Sequence, residues 1–262
     1  MFSRRGIRLR IRNSRRGLSP AAREDSARRL VANLIGSRLF RRSRRIACFV
    51  PQDGEIDLSL LFPHLLAYRK NRDSGRIAVC TGAQPLSASA RSANMSSMGK
   101  KAYLPVLHGK GLWFLPFDAN TPLVCNKYGI PEPALSSDSR CIPQALDLVL
   151  APLVAFDGMG RRLGMGGGYY DRTFAYLLRR RVFVKPMLVG VAYAFQQVAT
   201  PLPKNPWDVP LDGVVTDNGW LWPRFSRISR VDRRDVARKG IACRKRNPYN
   251  SPVVHGSLCP DS

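Results

Sequence analysis

The stretch "ALDLVLAPLVAFDGMGRRLGMGGGYYDRTFAYL", residues 145–177, decides how the rest of the chain is read. It opens on a segment, Ala145 to Phe156, that contains a continuous apolar run of the kind carried by a strand covered on both faces. It closes on Tyr170, Phe174, Leu177 and Leu178 at helical spacing, with Arg179, Arg180 and Arg181 suiting the C-terminal end of a helix. Between them lie four glycines within five residues, Gly164, Gly166, Gly167 and Gly168. A glycine is entropically unfavourable unless the backbone needs positive φ or close approach to something. A strand, a glycine-rich turn and a helix start aim backbone N–H groups and a positive dipole end at one point, which suits a phosphate. The pattern G-x-x-x-x-G-K-[ST] is absent because Tyr169 and Tyr170 follow the glycines, and G-x-G-x-x-G fails at Tyr169. A tight turn packing helix on strand is the alternative. The glycine density, flanked by Arg161, Arg162 and Asp171, favours a ligand. Asp171 itself fits two roles equally, a Mg2+ ligand beside phosphates or a helix N-cap or first-turn aspartate.

Strands and helices alternate on either side of this stretch, which argues for an α/β layered domain. "LSPAAREDSARRLVANLIGSRLF" (18–40) has Ser19 as N-cap, Pro20 at the first helical position, and Glu24 and Asp25 toward the positive end of the dipole. Its apolar face is Ala27, Leu30, Val31, Leu34 and Ile35. "RRIACFV" (44–50) reads as a short buried strand, and "LSLLFPHLLAYRK" (58–70) as a helix kinked or started by Pro63. "KAYLPVL" (101–107) and "GLWFLPF" (111–117) form a predicted hairpin, and 187–195 and 212–216 are two more strands.

The net charge of +25 raises the question of a nucleic-acid partner. Residues 1–45 carry +13 and residues 223–262 carry +7, which leaves only +5 for 46–222. Solvated basic termini account for this better than an RNA surface, since aromatics are not interleaved with the basic runs as stacking on single strands requires. The arginine-rich start lacks the apolar core of a secretory signal; a mitochondrial presequence is its rival reading. No apolar run approaches a membrane span. The six cysteines are scattered with no C-x-x-C pair, which argues against zinc and against a disulfide scaffold and fits a reducing cytoplasm. His64, His108 and His255 are isolated and read as structural or incidental.

Two acidic segments remain. "VPQDGEID" (50–57) places Asp53, Glu55 and Asp57 in a turn after a strand, where ligands of open α/β sheets bind. Alone it reads as a solvated acidic turn. Asp208 in "WDVPLDGVVTD" (207–217) is, alone, an ordinary loop acid.

These pieces converge. "LDLVLAPLVAFDGMGRRLGMGGGYYDRTFAYL" closely resembles the signature of the 5-formyltetrahydrofolate cyclo-ligases, or 5,10-methenyltetrahydrofolate synthetases. "LSPAAR", "PQDGEID", "KAYLPVLHGKGLWFLPF", "YGIPEPAL", "LVGVAYAFQQV" and "PWDVPLDGVVTD" follow in the family's order, and the likeness, of proteobacterial type, runs over about residues 4–220. The resemblance implies a single-domain, three-layer α/β/α sandwich with a mostly parallel sheet over residues 1–222. It implies a reaction in which the formyl oxygen of 5-formyltetrahydrofolate attacks the γ-phosphate of ATP. The neighbouring folate nitrogen then closes the ring to 5,10-methenyltetrahydrofolate, and ADP and phosphate are released, with Mg2+ as cofactor. It assigns Arg4, Arg5, Gly6, Ile7 and Arg8, together with Arg162, Leu163, Gly164, Met165, Gly166, Gly167, Gly168, Tyr169 and Tyr170, to ATP, with Met165 to Tyr169 also near the folate. Val50 and Glu55 contact the folate, Glu55 through the pterin's donor groups, and Asp171 and Asp208 bind Mg2+. Arg4 stands where the family commonly begins with lysine, which keeps the charge and changes its geometry. The basic start is itself part of the family pattern, which weakens the presequence reading. No catalytic acid, base or nucleophile is singled out.

Residues 73–98 have no family counterpart and read as an insertion in a helix-to-strand connection, where added length costs little loop entropy. Residues 223–262 read as a disordered basic tail. The resemblance implies a cytoplasmic, monomeric enzyme with two small-molecule substrates and neither a membrane nor a nucleic acid as partner. The alternatives are a basic nucleic-acid-binding protein on the same fold without catalysis, and a paralogue with another substrate.

Overall fold

A computed structural model describes residues 3–66, 99–179 and 185–223. The proposed insertion 73–98, the tail from 224, and Arg180 and Arg181 lie outside the described residues. The helices are α1 (Arg4–Arg16), α2 (Pro20–Ile35), α3 (Arg38–Arg42), α4 (Phe62–Leu65) and α5 (Tyr169–Thr173). The strands are β1 (Arg45–Ala47), β2 (Lys101–His108), β3 (Gly111–Phe117), β4 (Leu123–Cys125), β5 (Pro131–Pro133) and β6 (Leu148–Pro152). They continue with β7 (Ala155–Asp157), β8 (Arg162–Leu163), β9 (Met187–Ala192), β10 (Gln197–Val198), β11 (Gly213–Thr216) and β12 (Gly219–Leu221).

The main sheet runs β12-β11-β9-β6-β1-β2-β3. Its inner pairings are parallel, and β12 and β3 close the two edges in antiparallel. The strands alternate between two cores. Ile46, Leu148, Leu150, Val189, Val191 and Val215 pack with Leu30 and Leu34 of α2. Ala47, Val149, Ala151, Leu188 and Val214 turn the other way, to Phe174 and Leu177 beyond α5. A strand with apolar residues on both faces must be covered twice, so helix, sheet and helix form three layers. The expected mostly parallel sandwich is what folds.

Several elements differ in detail from the sequence reading. The segment 145–156 is two strands, because the ladder stops at Pro152, and β7 joins a separate sheet ordered β10-β7-β8. The helix after the glycines is five residues long and then tightens into a 3-10 turn over Ala175–Arg179. Leu178 is exposed while Phe174 and Leu177 are buried. The segment 44–50 keeps strand pairing only at Arg45–Ala47. Pro63 sits at the start of α4, after a 3-10 turn over Ser59–Leu61. Glu24 and Asp25 fall beyond the first turn of α2 and pair instead with Arg28 and Arg29 one turn on.

Helix α1 has no counterpart among the sequence-predicted elements. Ser3 caps it by accepting from the Gly6 amide. Ile7, Ile11 and Arg15 fall at intervals of four and form its buried face. The isoleucines pack on Val154, Ala155, Leu163 and Leu202. Arg12, Arg15 and Arg16 all converge on Asp53 in the turn after β1. Arg12 Nε donates to Oδ2 at 2.6 Å, Arg15 Nη2 to Oδ2 at 2.9 Å and Arg16 Nε to Oδ1 at 2.7 Å. Burial alone would raise the Asp53 carboxyl; the hydrogen bonds from Arg12, Arg16 and Arg15 overcome this and hold it at about 2. Asp53 also takes a left-handed backbone, φ 52, a conformation that Asp and Asn tolerate best among side-chain-bearing residues.

Asp53→Asn therefore keeps the turn and removes the charge. We expect a loss of about 2 kcal/mol at pH 7, between the values for exposed and buried pairs, in chemical denaturation. A carboxyl depressed in the folded state contributes stability that is present above its unfolded value and lost as pH falls. The difference between variant and wild type should therefore close between pH 3.8 and about 2.

Candidate functional site

The carboxyl ends of β1, β6 and β9 point to one edge of the sheet, where open α/β sheets bind ligands. Three segments meet there: the N-terminal part of α1, the glycine loop, and the loop before β11. Arg8 Nε donates to the Gly164 carbonyl at 2.8 Å. Arg4 Nη2 donates to Asp208 Oδ2 at 3.1 Å and to the Pro203 carbonyl at 2.7 Å. Arg4 and Arg8 are thus brought beside the Asp208 loop and the glycine loop in three dimensions. Within the same segment Arg5 is exposed, while Ile7 is a core residue.

The demand for glycine is conformational at two positions of the loop. Gly166 and Gly168 adopt φ of 115° and 65°, conformations that side chains disfavour. Gly168 is the N-cap of α5 in the left-handed region. Gly164 is different, since a methyl group there would meet nothing within 4 Å. The Arg8 guanidinium lies along the loop, 3.9 Å from where a Gly166 side chain would begin, and Met165 stands half-exposed on it. Arg172 Nη2 donates to the Gly167 carbonyl at 2.5 Å, tying the loop to α5.

Asp171 lies in the first turn of α5, one of the positions its sequence allows, and Gly168 takes the N-cap. Its Oδ1 accepts from Arg162 Nη2 at 2.6 Å and from the Val209 amide at 3.1 Å. Asp208 is not a free loop acid either, since its Oδ2 accepts from Arg4 and, at 2.7 Å, from the Asn205 amide. Arg162 is nearly buried, its side chain 6% exposed, and it also donates to the Val209 carbonyl. Burial lowers its pKa, and Asp171, Tyr170 and Asp208 act against that. Arg162 therefore joins α5 to the Asp208 loop instead of projecting into solvent.

No group of three or more His, Cys, Asp or Glu side chains able to hold a metal occurs among the described residues. Mg2+ needs fewer, because it keeps waters and is commonly bound by one or two carboxylates plus substrate phosphates. The donor set fits that use: Asp171 and Asp208 each commit one oxygen to the protein contacts given above. A groove lined by Arg161, Arg162, Lys204, Asp208, Val209 and Pro210 adjoins them.

Glu55 occupies the other side. Its turn closes on itself, the Glu55 amide donating to the Gln52 carbonyl at 2.9 Å and the Gln52 amide to Glu55 Oε2 at 3.1 Å. The carboxyl is 10% exposed, with Arg15 Nη1 at 3.8 Å from Oε1. Burial pushes it up to about 7; the Gln52 amide and Arg15 oppose the rise, and Asp53 adds to it. A solvated acidic turn is thereby excluded. Asp57 is a local cap, accepting from the Ser59 amide and hydroxyl. Val50, just before the turn, is partly buried against the α2-side core. The Tyr170 hydroxyl is buried without a protein partner. Its pKa is raised by burial and by the Glu55 charge and opposed by Arg162, so this ring stands in the field of both halves of the site. Tyr169 OH meets Tyr128 OH at 3.3 Å. His108 stacks on Trp113 and Cys48 is buried, so neither reaches the site as a reactive group.

Sequence reasoning missed Arg12, Arg15, Arg16 and the role of Asp53. The signal was present as apolar residues at 7 and 11 with Arg15 next in the same register.

The chain is similar to known proteins in sequence and fold. The 5-formyltetrahydrofolate cyclo-ligase family matches residues 57–217. The chain is 33% identical over 216 residues to the 5-formyltetrahydrofolate cyclo-ligase of Escherichia coli (strain K12), covering 81% of this chain and 100% of that one. It is 33% identical over 215 residues to that of Haemophilus influenzae, covering 81% and 96%. The NMR structure of Aquifex aeolicus 5,10-methenyltetrahydrofolate synthetase superposes with a TM-score of 0.63 at 29% identity, over 86% of this chain and 95% of that one.

A glutamate whose folded pKa is raised binds its proton more tightly folded than unfolded, so stability falls as pH rises from 4.5 through about 7. Glu55→Gln removes that fall. The variant should be more stable than wild type by about 2–3 kcal/mol at pH 8 and equal to it near pH 4 in thermal or denaturant unfolding.

Proposed function

The chain belongs to the 5-formyltetrahydrofolate cyclo-ligase family, and we propose how its residues carry out that family's reaction. The enzyme cyclises 5-formyltetrahydrofolate to 5,10-methenyltetrahydrofolate at the expense of ATP. The formyl oxygen attacks the γ-phosphorus, and the bond to ADP breaks. The neighbouring folate nitrogen then attacks the activated formyl carbon, and phosphate departs with the former formyl oxygen. Such a reaction needs orientation and charge stabilisation more than a protein acid or base.

Arg4 and Arg8, held over the glycine loop by α1, neutralise the triphosphate, and the backbone N–H groups of residues 164–168 orient it. Arg8 on the Gly164 carbonyl is the observation that carries this assignment. Arg162 acts from behind, fixing Asp171 against Val209. Arg5 contributes general positive potential from the surface. Asp171 and Asp208 hold Mg2+, which when bound neutralises phosphate charge. Glu55 receives the pterin's N–H donors, with Val50 against the ring, and desolvation keeps that recognition in a water-poor pocket. Tyr170 separates the two substrates' regions, and Met165 and Tyr169 border the folate.

The enzyme works as a monomer in the cytoplasm; the described part has no helix long and apolar enough to cross a membrane. Residues 1–222 are the catalytic domain, and neither 73–98 nor 223–262 takes part in catalysis. Full-length protein with 5-formyltetrahydrofolate, Mg2+ and ATP should show the absorbance rise of the methenyl product, none without ATP, and a rate lowered about 100-fold or more in Asp171→Ala. No ATP-dependent rise from the folded wild type would contradict the assignment. Deleting 73–98 or 224–262 should change kcat less than about twofold, since neither supplies a site residue; a tenfold loss in either would show that the segment shapes the site.

A further inference from the structure

Arg15 is the one arginine of the Asp53 cluster that is wholly buried. Arg12 and Arg16 already occupy the two carboxylate oxygens, and both are partly exposed, with side chains 34% and 55% accessible. Arg15 has no exposure at all. A fully buried guanidinium is unfavourable unless its donors and charge are matched, and here they are matched incompletely. Nη2 reaches Asp53 at 2.9 Å, Nη1 lies 3.4 Å from the Leu153 carbonyl and 3.8 Å from Glu55 Oε1, and Nε is buried without a partner. The Leu153 and Val154 carbonyls are also claimed by Gln196 Nε2, at 3.0 and 2.7 Å. The guanidinium is therefore wedged among α1, the turn after β1 and the end of β6, with a free donor and with a carboxylate at ion-pair distance that no hydrogen bond yet joins.

We propose that Arg15 is a positioning residue for substrate recognition: shared between Asp53 and Glu55, its guanidinium aims the Glu55 carboxylate at the folate. This rests on the reading of Glu55 as the folate contact. The groups facing Glu55 are Arg15 from α1, Asp53 and the Gln52 amide from its own turn, and Tyr170 from α5, behind which stand Arg162 and Cys48. Arg15 also faces the buried Tyr193 hydroxyl, which neighbours Arg23, Asp57 and Asp217. Arg15 is the cation that opposes the burial of Glu55, so without it the carboxyl holds its proton to higher pH and loses acceptor capacity for the pterin's donors. The same 13-residue helix carries Arg4 and Arg8 at its other end, so one rigid rod bears on both substrates.

The test compares wild type, Arg15→Met, Arg15→Lys and Glu55→Gln as full-length enzyme. It reads kcat and both KM values from pH 6 to 9. In wild type, kcat/KM for 5-formyltetrahydrofolate should rise with an apparent midpoint near that of Glu55, about 7. Arg15→Met should raise the folate KM about tenfold at pH 7.5 and move the midpoint up by about one unit, leaving the ATP KM within about twofold. Arg15→Lys should recover at least half of both effects. A folate midpoint that stays in place, or folate and ATP KM rising together, would mean that Arg15 only anchors the helix, and would overturn the proposal. If Arg15→Met does not fold, a carboxyl carbon-13 titration of Glu55 in Arg15→Gln against wild type decides: a raised midpoint supports the proposal, and an unmoved one overturns it. Glu55→Gln separates the two levels of inference. If it raises the folate KM while Arg15→Met does not, only the Arg15 role falls. If it leaves the folate KM unchanged, the Glu55 assignment falls and takes the Arg15 role with it.

Discussion

Three arginines of one helix closing on the Asp53 carboxylate hold the functional edge of this protein together. Without that contact α1 would be a strongly cationic helix with only two isoleucines and a short apolar strip to keep it on the domain. Asp53 converts self-repulsion among Arg12, Arg15 and Arg16 into attachment. Attachment of the C-terminal end of α1 fixes the part before it, about 6–18 Å away at 1.5 Å per residue, where Arg8 and Arg4 reach the glycine loop and Asp208. The turn that supplies Asp53 also supplies Glu55, two residues on, so the two sides of the site share one mechanical support. Glu55 is costly to keep there, buried as it is with a raised pKa. Such a cost persists where function requires it.

Much of the fold was legible because burial on two faces leaves a strong trace. The run around Leu148 to Ala151 is apolar at every position, and the structure sends alternate residues into two separate cores. The hairpin of β2 and β3 was equally plain from two apolar strands and a turn containing Gly109. The break between β6 and β7 was not, since apolar pattern does not record which sheet a strand joins, and the missing N–H of Pro152 was the only local cue. Helix α1 was hidden for a different reason. Seven arginines swamp the hydropathy of a face whose apolar members are only Ile7 and Ile11, and its stability comes from a tertiary ion cluster that no local window contains.

The site divides in the same way. The glycine loop announced itself, because positive φ at Gly166 and Gly168 leaves a residue-type signature. The pairing of Asp171 with Arg162, nine residues apart, and of Asp208 with Arg4, at opposite ends of the described chain, did not. Charge counting treated the N-terminal arginines as a solvated excess, whereas three are spent on Asp53 and two more bear on the site. That accounting removes much of the case for a nucleic-acid surface at this end. The family resemblance placed Glu55 with the folate, but the burial that makes this carboxyl unusual is a property of the packed turn and of Tyr170 above it.

The measurement that bears most directly on this account is ATP affinity in Asp53→Asn, taken by calorimetry on the folded, full-length protein. Asp53 contacts the helix and lies away from the residues assigned to the nucleotide, so a local view gives it no influence there. If the clamp sets the position of Arg4 and Arg8, ATP affinity should fall about tenfold or more. Unchanged ATP affinity in a variant that retains its fold would show that α1 finds its place without Asp53, and would contradict the central claim.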